Sequence, residues 1–294
     1  PGPSIKPIRN ELKLRSMALD PASVRLVEEC GRQHVFLYKC SERTATQLMA
    51  SSHVESVLAT MGLKALLTAP RILDQPSKPT IVDVRWAGAA KTQQLIIKVV
   101  EQRKYQRLVS DEDDGHRITK IYERINERAV NIARLHADGF LEMRIASHTN
   151  SSEYEKDVEA FWAHIGPLVP LDEFAEVSLS AAKQNLLSRR ATLTGKIRFS
   201  NSTLRNDKGT VMRAACMLDG ADLMKDRVAV DCIDRFLQTA QCDSQNIFFR
   251  AIPPTYPREI HVRLDGRVNE FAVTASCSLA EYEYVFSELR TLNS

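Results

Sequence analysis

The residues with the clearest chemical potential are cations gathered in one short segment. Between positions 189 and 213 the chain carries seven arginines and lysines and one acid, Asp207, a net charge of +6, whereas all 294 residues together have a net charge of only +3. A basic cluster of this kind is the electrostatic footprint of a surface that binds anions or nucleic acid. The seven cations are Arg189, Arg190, Lys196, Arg198, Arg205, Lys208 and Arg213.

The pattern around these cations predicts a β-hairpin. In TLTGKIRFS the apolar residues Leu193, Ile197 and Phe199 alternate with polar ones, as in a strand with one packed face. The loop NSTLRNDKG adds small polar donors, which contact phosphate oxygens alongside Arg and Lys. The closing segment REIHVRLDGR places His261 and Arg263 on another polar strand face, which would widen the patch. The polar face of the first strand would carry Thr194, Lys196, Arg198 and Ser200.

The alternative for this hairpin is a solvated sheet face, in which Lys and Arg protect an edge strand from pairing with another chain. That explanation suits one or two lysines. It suits seven cations, mostly arginine, less well. We therefore consider both explanations, a binding surface and a solvated edge.

A second cationic pattern lies near the middle of the chain, where the spacing predicts a helix over 117–137. Its apolar stripe would be Ile118, Ile121, Ile125, Ile132 and Leu135. Cations three and four residues apart would line one side of this helix, beside Glu123 and Glu127 on the adjacent column. Either this row binds an anion or it is an ordinary solvated helix face. The row consists of Arg117, Lys120, Arg124 and Arg128.

Other chemistries have weaker support. Four consecutive acids, 111–114, could hold a metal ion for phosphodiester hydrolysis, but such a site needs carboxylates that converge from different rigid elements, so a solvated loop is expected. The chain has no GxxxxGK[ST], GxGxxG, HExxH or GxSxG motif. The six cysteines form no CxxC pair and are expected to be reduced core residues. We therefore expect no cofactor and no metal site.

The first 78 residues are predicted to form a mainly helical region. Asp20 and Pro21 begin a predicted helix that ends near Cys30, and a short strand is expected over 34–39. Ser41 and Ser52 are expected to cap two further helices. The segment QPSKP at 75–79 marks the boundary of this region.

Two α+β units are predicted after that boundary, over 79–168 and 169–294. Because hairpins dominate and no regular strand-helix-strand alternation appears, we expect antiparallel sheets with packed helices. The similar order of elements in the two units has two explanations, two related halves or chance. In the first unit we expect a hairpin at 80–100, the helix at 117–137, a strand at 139–147 and a helix capped by Ser151 or Ser152. In the second we expect two short helices within 172–190, a hairpin at 192–217, a helix within 221–240, a strand at 246–252, a hairpin turning on Asp265-Gly266 and a helix at 279–292.

The tripeptide Glu-Tyr-Glu occurs at 153–155 and again at 281–283. In both places it would begin a helix, with the tyrosine on the apolar stripe and the acids near the positive end of the helix dipole. Ser278 and Glu281 also fit a capping box. Both tripeptides are therefore interpreted as helix starts.

The leading hypothesis is a non-enzymatic module that binds the phosphate backbone of DNA or RNA through 189–213. The alternative is a protein-interaction or assembly subunit whose arginines pair with an acidic partner surface. A metal-dependent phosphodiesterase using the acidic run is a third hypothesis. No run approaches the roughly 18 to 20 apolar residues of a membrane span and the first residues show no signal-peptide pattern, so we expect no membrane partner and a cytoplasmic or nuclear location.

Overall fold

The computed structural model describes residues 28–89, 92–148 and 154–294. Within them the fold is α+β, as predicted, with one antiparallel sheet of eleven strands and seven α-helices. The strands are β1 (Gln33–Lys39), β2 (Thr80–Ala87), β3 (Gln94–Asp113), β4 (Ile118–His136), β5 (Phe140–Ala146), β6 (Ala175–Glu176), β7 (Ile197–Asn206), β8 (Val211–Ala215), β9 (Ala240–Phe249), β10 (Ile260–Leu264) and β11 (Glu270–Val273). The helices are α1 (Glu42–Met49), α2 (Ser51–Thr60), α3 (Tyr154–Ile165), α4 (Ser180–Ser188), α5 (Arg190–Leu193), α6 (Arg227–Leu237) and α7 (Leu279–Leu292).

The sheet has the order β2-β3-β4-β5-β1-β11-β10-β9-β7-β8, with the short β6 paired to β1. Thus β1, from the N-terminal region, lies between a first half made of β2 to β5 and a second half made of β7 to β11. The predicted boundaries at 78–79 and 168–169 fall in connections between elements. Each half ends in a helix, α3 for the first and α7 for the second.

The two halves are covered by helices on opposite sides of the sheet. Strand β1 shows this, because its alternate side chains enter different cores. Phe36 and Tyr38 pack with α1, α2 and α3, on what we call the α3 side. Val35 and Leu37 pack with α4, α6 and α7, on the α7 side. The second half therefore has a surface on the α3 side over which no described helix lies; α3 reaches only its border, where Tyr154 stacks on His34. We call this surface the open face.

The largest departure from prediction is that 118–136 form strand β4, so the predicted helix over 117–137 is wrong. Strand β4 pairs with β3 along its whole length, with one irregularity between Leu108 and Ser110. The ladder satisfies the backbone groups that a helix would have satisfied internally, and the isoleucines suit a strand. The predicted apolar stripe is consequently split, because Ile121 and Ile125 point to the opposite side from Ile118 and Ile132.

The outer parts of β3 and β4 project from the sheet as a two-stranded arm. Strand β2 pairs with β3 only as far as Val100, and β5 pairs with β4 only from Ile132. Residues 101–129, which we call the arm, therefore pair only with each other, and the arm is about 40 Å long at about 3.3 Å per residue. The acidic run lies at its tip.

Most of the local predictions are confirmed. The hairpin at 80–100, the strands at 34–39 and 139–147, and the closing helix with its capping box of Ser278 and Glu281 are all present. Ser41 caps α1, whereas the residue before α2 is Ala50, so Ser52 is not its cap. Asp265 and Gly266 lie in the β10–β11 connection, where Gly266 has a φ of 86°. Most of the predicted first helix, and both Ser151 and Ser152, lie outside the described residues.

Three boundaries in the second half are shifted. Strand β7 begins at Ile197, because Arg190–Leu193 form helix α5, so Leu193 and Thr194 are not part of the hairpin. Strand β9 begins at Ala240, six residues before the predicted start at 246, and ends at Phe249. Helix α6 spans Arg227–Leu237, and Asp226 caps it.

Candidate nucleic-acid interface

The open face is built from the outward side chains of four neighbouring strands. On β7, Ile197, Phe199 and Leu204 point into the core on the α7 side, so the alternate residues point to the open face. The β7–β9 ladder has irregularities between Phe199 and Asn201 and between Thr203 and Leu204. On either side of them, residues that are paired across the two strands still point to the same side of the sheet. The open face carries Arg198, Asn201, Thr203 and Arg205 from β7, Arg213 from β8, Ser244, Asn246 and Phe248 from β9, and His261 and Arg263 from β10.

Four of the predicted site residues therefore share this face, namely Arg198, Arg205, Arg213 and Arg263. They differ in access to solvent. Arg205 and Arg263 have side chains 57% and 45% exposed, whereas that of Arg198 is 8% exposed. Arg213 is exposed, and Lys208 is exposed in the β7–β8 turn beside them.

Arg198 is held in place by several groups at once. Its guanidinium donates to both carboxylate oxygens of Glu259, at 2.5 and 3.1 Å, and to the backbone oxygen of Ala221 at 3.1 Å. It also lies over the ring of Phe248, 3.8 Å from the centroid. The hydrogen bond from Arg198 lowers the pKa of Glu259, and the same bond raises the pKa of Arg198. Arg198 therefore holds its neighbours on this part of the face in position, and its charge is already paired with Glu259.

A ring stack continues from Arg198 across the next two strands. Phe248 stacks on His261 with centroids 4.3 Å apart. Burial, and then the charges of Arg263 and Arg198, lower the pKa of His261. Its Nδ1 lies 2.7 Å from the hydroxyl of Thr274. At neutral pH His261 is therefore an uncharged member of the face.

Carboxylates neutralise part of the open face. Arg205 contacts Asp243 at 3.2 Å, and Arg263 forms an ion pair with Asp265. Arg213 and Lys208 have no ion-pair partner within 28–89, 92–148 and 154–294. The face is therefore less cationic than the charge of its sequence segment indicates, and its free positive charge is concentrated at the β7–β8 edge.

The structure places three other predicted cations on the α7 side, away from the open face. Arg190 pairs with Asp234 of α6 at 2.6 Å, and Lys196 contacts Glu288 of α7 at 3.2 Å. Arg189 is exposed at the C-terminus of α4. The prediction that Lys196 and Arg198 share a strand face is wrong, because Lys196 precedes β7 and reaches the opposite helix layer.

The arm cations form a separate group. Lys120, Arg124 and Arg128 still share one face, because a spacing of four keeps residues together in a strand as well as in a helix. Arg117 lies in the turn before β4. The three point to the α7 side, and five strands separate β4 from β7, a distance of about 30 Å. They do not merge with the open face.

The acidic run stabilises the tip of the arm. Asp114 accepts hydrogen bonds from the backbone amides of His116 and Arg117, at 2.8 and 2.7 Å, and these bonds lower its pKa. Asp113 accepts one from the amide of Gly115 at 2.8 Å. Asp111 and Asp113 point to one face of the arm and Glu112 to the other. In the described part of the chain, no three His, Cys, Asp or Glu side chains are placed to hold a metal ion together.

The sequence did not reveal a buried charged cluster on the α7 side of the first half. Glu142 is fully buried; it accepts hydrogen bonds from Tyr282 of α7 and His136, and Arg134 lies 3.6 Å away. Burial alone would raise the pKa of Glu142, but the hydrogen bond from His136 and the charges of Arg134, His136 and Arg144 lower it to about 2.

Arg144 completes this cluster. Its guanidinium lies 3.9 Å from the centroid of the Tyr282 ring, and it donates to Gln33 at 2.9 Å and to the backbone oxygen of Glu29 at 2.6 Å. Burial, and then the charge of Glu142, raise the pKa of Tyr282 well above its usual value. The alternation of GFLEMRIAS predicted the strand correctly but gave no sign that its polar side is buried. We call Arg134, His136, Glu142, Arg144 and Tyr282 the buried cluster.

Comparison with known proteins adds no functional assignment. No protein-family model matches the chain, and no curated protein matches it. Among the described residues, no helix combines the length and the apolar character needed to cross a membrane.

Proposed function

We propose that this chain is a non-enzymatic nucleic-acid-binding module whose open face contacts the phosphate backbone of DNA or RNA. The observation that carries the proposal is the convergence of Arg205, Arg213 and Arg263 on one uncovered sheet face. Uncharged donors from the same strands, Thr203, Ser244 and Asn246, lie between them. Arginine together with hydroxyl and amide donors is the usual set for phosphate contacts.

The exposed ion pairs on this face do not prevent binding. A solvent-exposed pair such as Arg205 with Asp243 contributes about 0 to 1 kcal/mol, so a phosphate can replace the carboxylate at little cost. Arg213 and Lys208 have no described ion pair to break. Contact through Arg205, Arg213, Arg263 and Lys208 would be independent of base sequence, since phosphate contacts position a nucleic acid without reading it.

Arg198 has a different role in this proposal. Its fork with Glu259 and its packing on Phe248 leave it almost fully buried. We assign it as a positioning residue that holds Phe248 and His261 in the middle of the face. The protein would act in the cytoplasm or the nucleus, where nucleic acid is accessible.

The test is fluorescence anisotropy with labelled single-stranded and double-stranded DNA and RNA at several salt concentrations. Arg205→Glu with Arg213→Glu should weaken binding at least tenfold near 0.1 M salt and reduce the slope of log K against log salt by about 2, since each phosphate contact contributes about 0.9. The matched control is Arg189→Glu with Arg227→Glu, which makes the same charge change on exposed residues of the α7 side. This control should leave affinity almost unchanged.

Two outcomes would overturn the proposal. Equal loss of affinity in both double variants would show attraction by net charge alone. Failure of the wild-type chain to bind any of the four nucleic acids at low salt would reject nucleic acid as the ligand. If an acidic protein were then captured in nuclease-treated extract, and lost on Arg205→Glu with Arg213→Glu, the same face would be assigned to protein binding.

A further inference from the structure

A cavity of about 550 Å³ lies on the α3 side, between α3, β1 and the segment 170–176. Phe36 and Tyr38 of β1, Trp162 of α3 and Phe174 contribute aromatic rings to its lining. The rings of Tyr38 and Trp162 meet edge to face with centroids 4.7 Å apart, and Phe174 lies 6.0 Å from Trp162. A mainly apolar cavity of this volume has the size and character of a small-molecule site.

The cavity is open to solvent. Leu171, which lines it, is 57% exposed, and Ala163 of α3 lines it with an exposed side chain. Because alanine is small, position 163 leaves space that a larger side chain on the same helix face would fill. A ligand could therefore enter without displacing a helix.

The charged residues that line the cavity are mostly acidic. They are Glu155, Glu159, Glu176 and Arg267, a net charge of −2, although the whole chain has a net charge of +3. Arg267, from the β10–β11 connection, contacts Glu155 at 2.5 Å and Glu176 at 3.6 Å. Glu159 has no ion-pair partner in the part of the chain that the structure describes. The cavity therefore keeps negative charge that its own arginine does not neutralise.

Acidic and apolar groups follow one another along α3. Glu155 and Glu159 lie one turn apart on the same face of the helix, and Trp162 and Ala163 lie one turn further on. Two carboxylates at this spacing repel each other, and a cation placed across them removes the repulsion. The contact of Arg267 with Glu155 shows that a cationic group fits at this end of the cavity. The other end of the same wall is apolar.

We propose that this cavity binds a small organic cation, an ammonium group carried on an apolar body. The ammonium would lie beside Glu159 and Glu155, and the apolar body would pack against Trp162 and Phe174. Aromatic rings, tryptophan above all, attract organic cations through the negative faces of their π-systems. Burial of the apolar body would add the hydrophobic contribution.

The charge of the lining selects this ligand over others. An anion would be repelled by the three carboxylates, and a neutral apolar molecule would gain nothing from them. The proposal does not depend on nucleic-acid binding, because none of the four cations proposed to contact phosphate lines the cavity. Those cations are Arg205, Lys208, Arg213 and Arg263.

The experiment compares three probes that share a six-carbon chain: hexyltrimethylammonium, hexanol and hexanesulfonate. The chain has two tryptophans, so the variant Trp86→Phe leaves Trp162 as the only tryptophan, and its fluorescence reports binding in the cavity. Hexyltrimethylammonium should saturate the signal below about 10 mM and bind about tenfold more tightly than hexanol. Hexanesulfonate should not bind.

Two variants in the same background separate the charged and apolar contributions. Glu155→Gln with Glu159→Gln should weaken hexyltrimethylammonium about tenfold and leave hexanol unchanged. The matched control is Glu42→Gln with Glu55→Gln, which makes the same charge change on exposed residues of α1 and α2 and should leave both affinities unchanged. Ala163→Phe, which fills the cavity and keeps its charges, should abolish binding of both probes.

Four outcomes would overturn the proposal. They are no saturable binding of hexyltrimethylammonium, equal affinity for hexanol, equal weakening by the control and the cavity glutamine variants, and unchanged binding in Ala163→Phe. A pentalysine peptide is titrated in parallel. If the peptide alone bound, and Ala163→Phe abolished its binding, the cavity would take a side chain of a partner protein and the small-ligand proposal would be wrong.

Discussion

The buried cluster and the open face contain the same three kinds of side chain, an arginine, an aromatic ring and a carboxylate, but the first lies under a helix and the second does not. In the cluster, Arg144 lies over the ring of Tyr282 beside the carboxylate of Glu142. On the open face, Arg198 lies over the ring of Phe248 and is forked to Glu259. The difference between the two regions is the covering layer, because α7 closes over the first and no described helix lies over the second.

This comparison shows that the number of arginines in a segment does not identify a binding surface. A guanidinium buried under a helix already pairs with a carboxylate and packs on a ring of the same chain, so it contributes to the stability of the fold and not to ligand binding. A guanidinium on an uncovered strand keeps N–H groups that can donate hydrogen bonds to a ligand. Arg198 combines features of the two cases. It points to the open face, but it is buried, paired with a carboxylate and packed on a ring, as Arg144 is.

The largest expected effect separates the two regions by stability. Glu142→Gln removes the buried carboxylate beside Arg134 and Arg144, of which Arg134 keeps its ion pair with Glu283, so the free energy of unfolding should fall by about 3 to 5 kcal/mol. Asp243→Asn, which removes the carboxylate of an exposed pair on the open face, should cost about 0 to 1 kcal/mol. Urea denaturation of both variants measures the contrast. Equal losses would remove the distinction between the regions.

The pH dependence of stability gives a second contrast. The pKa of Glu142 is about 2 in the folded chain, against 4.5 as its ordinary value, so its ionised form is favoured by folding. Its stabilising contribution is complete above pH 4.5 and disappears as pH falls toward 2. From the two pKa values this contribution is about 3 kcal/mol. Urea denaturation from pH 6 to 2 should show a drop that is absent in Glu142→Gln; an identical drop in both proteins would contradict this assignment.

The smallest expected effect concerns Arg198 and Arg213, which share a face but differ in burial. Arg198→Lys loses the two-donor fork to Glu259 and the packing on Phe248, so we expect a loss of about 1 to 2 kcal/mol in the free energy of unfolding. Arg213→Lys should change stability by less than about 0.5 kcal/mol, because it is exposed. Thermal denaturation monitored by circular dichroism tests both. A larger loss for Arg213→Lys would overturn the assignment of Arg198 as the structural residue.

Features that depend on neighbouring residues in the chain were predicted well. Ser278 and Glu281 formed the expected capping box, and Gly266 adopts the positive φ expected at its turn. Both signals are local, since they depend on backbone groups within three or four residues. Strand β4, for which a helix was predicted, has apolar and charged residues at spacings that fit both a helix and a strand in part. Its pairing with β3 decided between them, and that pairing joins residues as far apart as Gln94 and His136.

The candidate site was predicted only in part, for the same reason. The sequence by itself determined the α+β class, the hairpins, the helix starts at Ser41 and Ser278 and the concentration of charge between 189 and 213. Only the tertiary structure decided that Arg205, Arg213 and Arg263 share an open face, that Lys196 and Arg190 pair with the opposite helix layer, and that Arg144 is buried. Alternation along a strand distinguishes its two sides, but which side is covered depends on where distant helices pack.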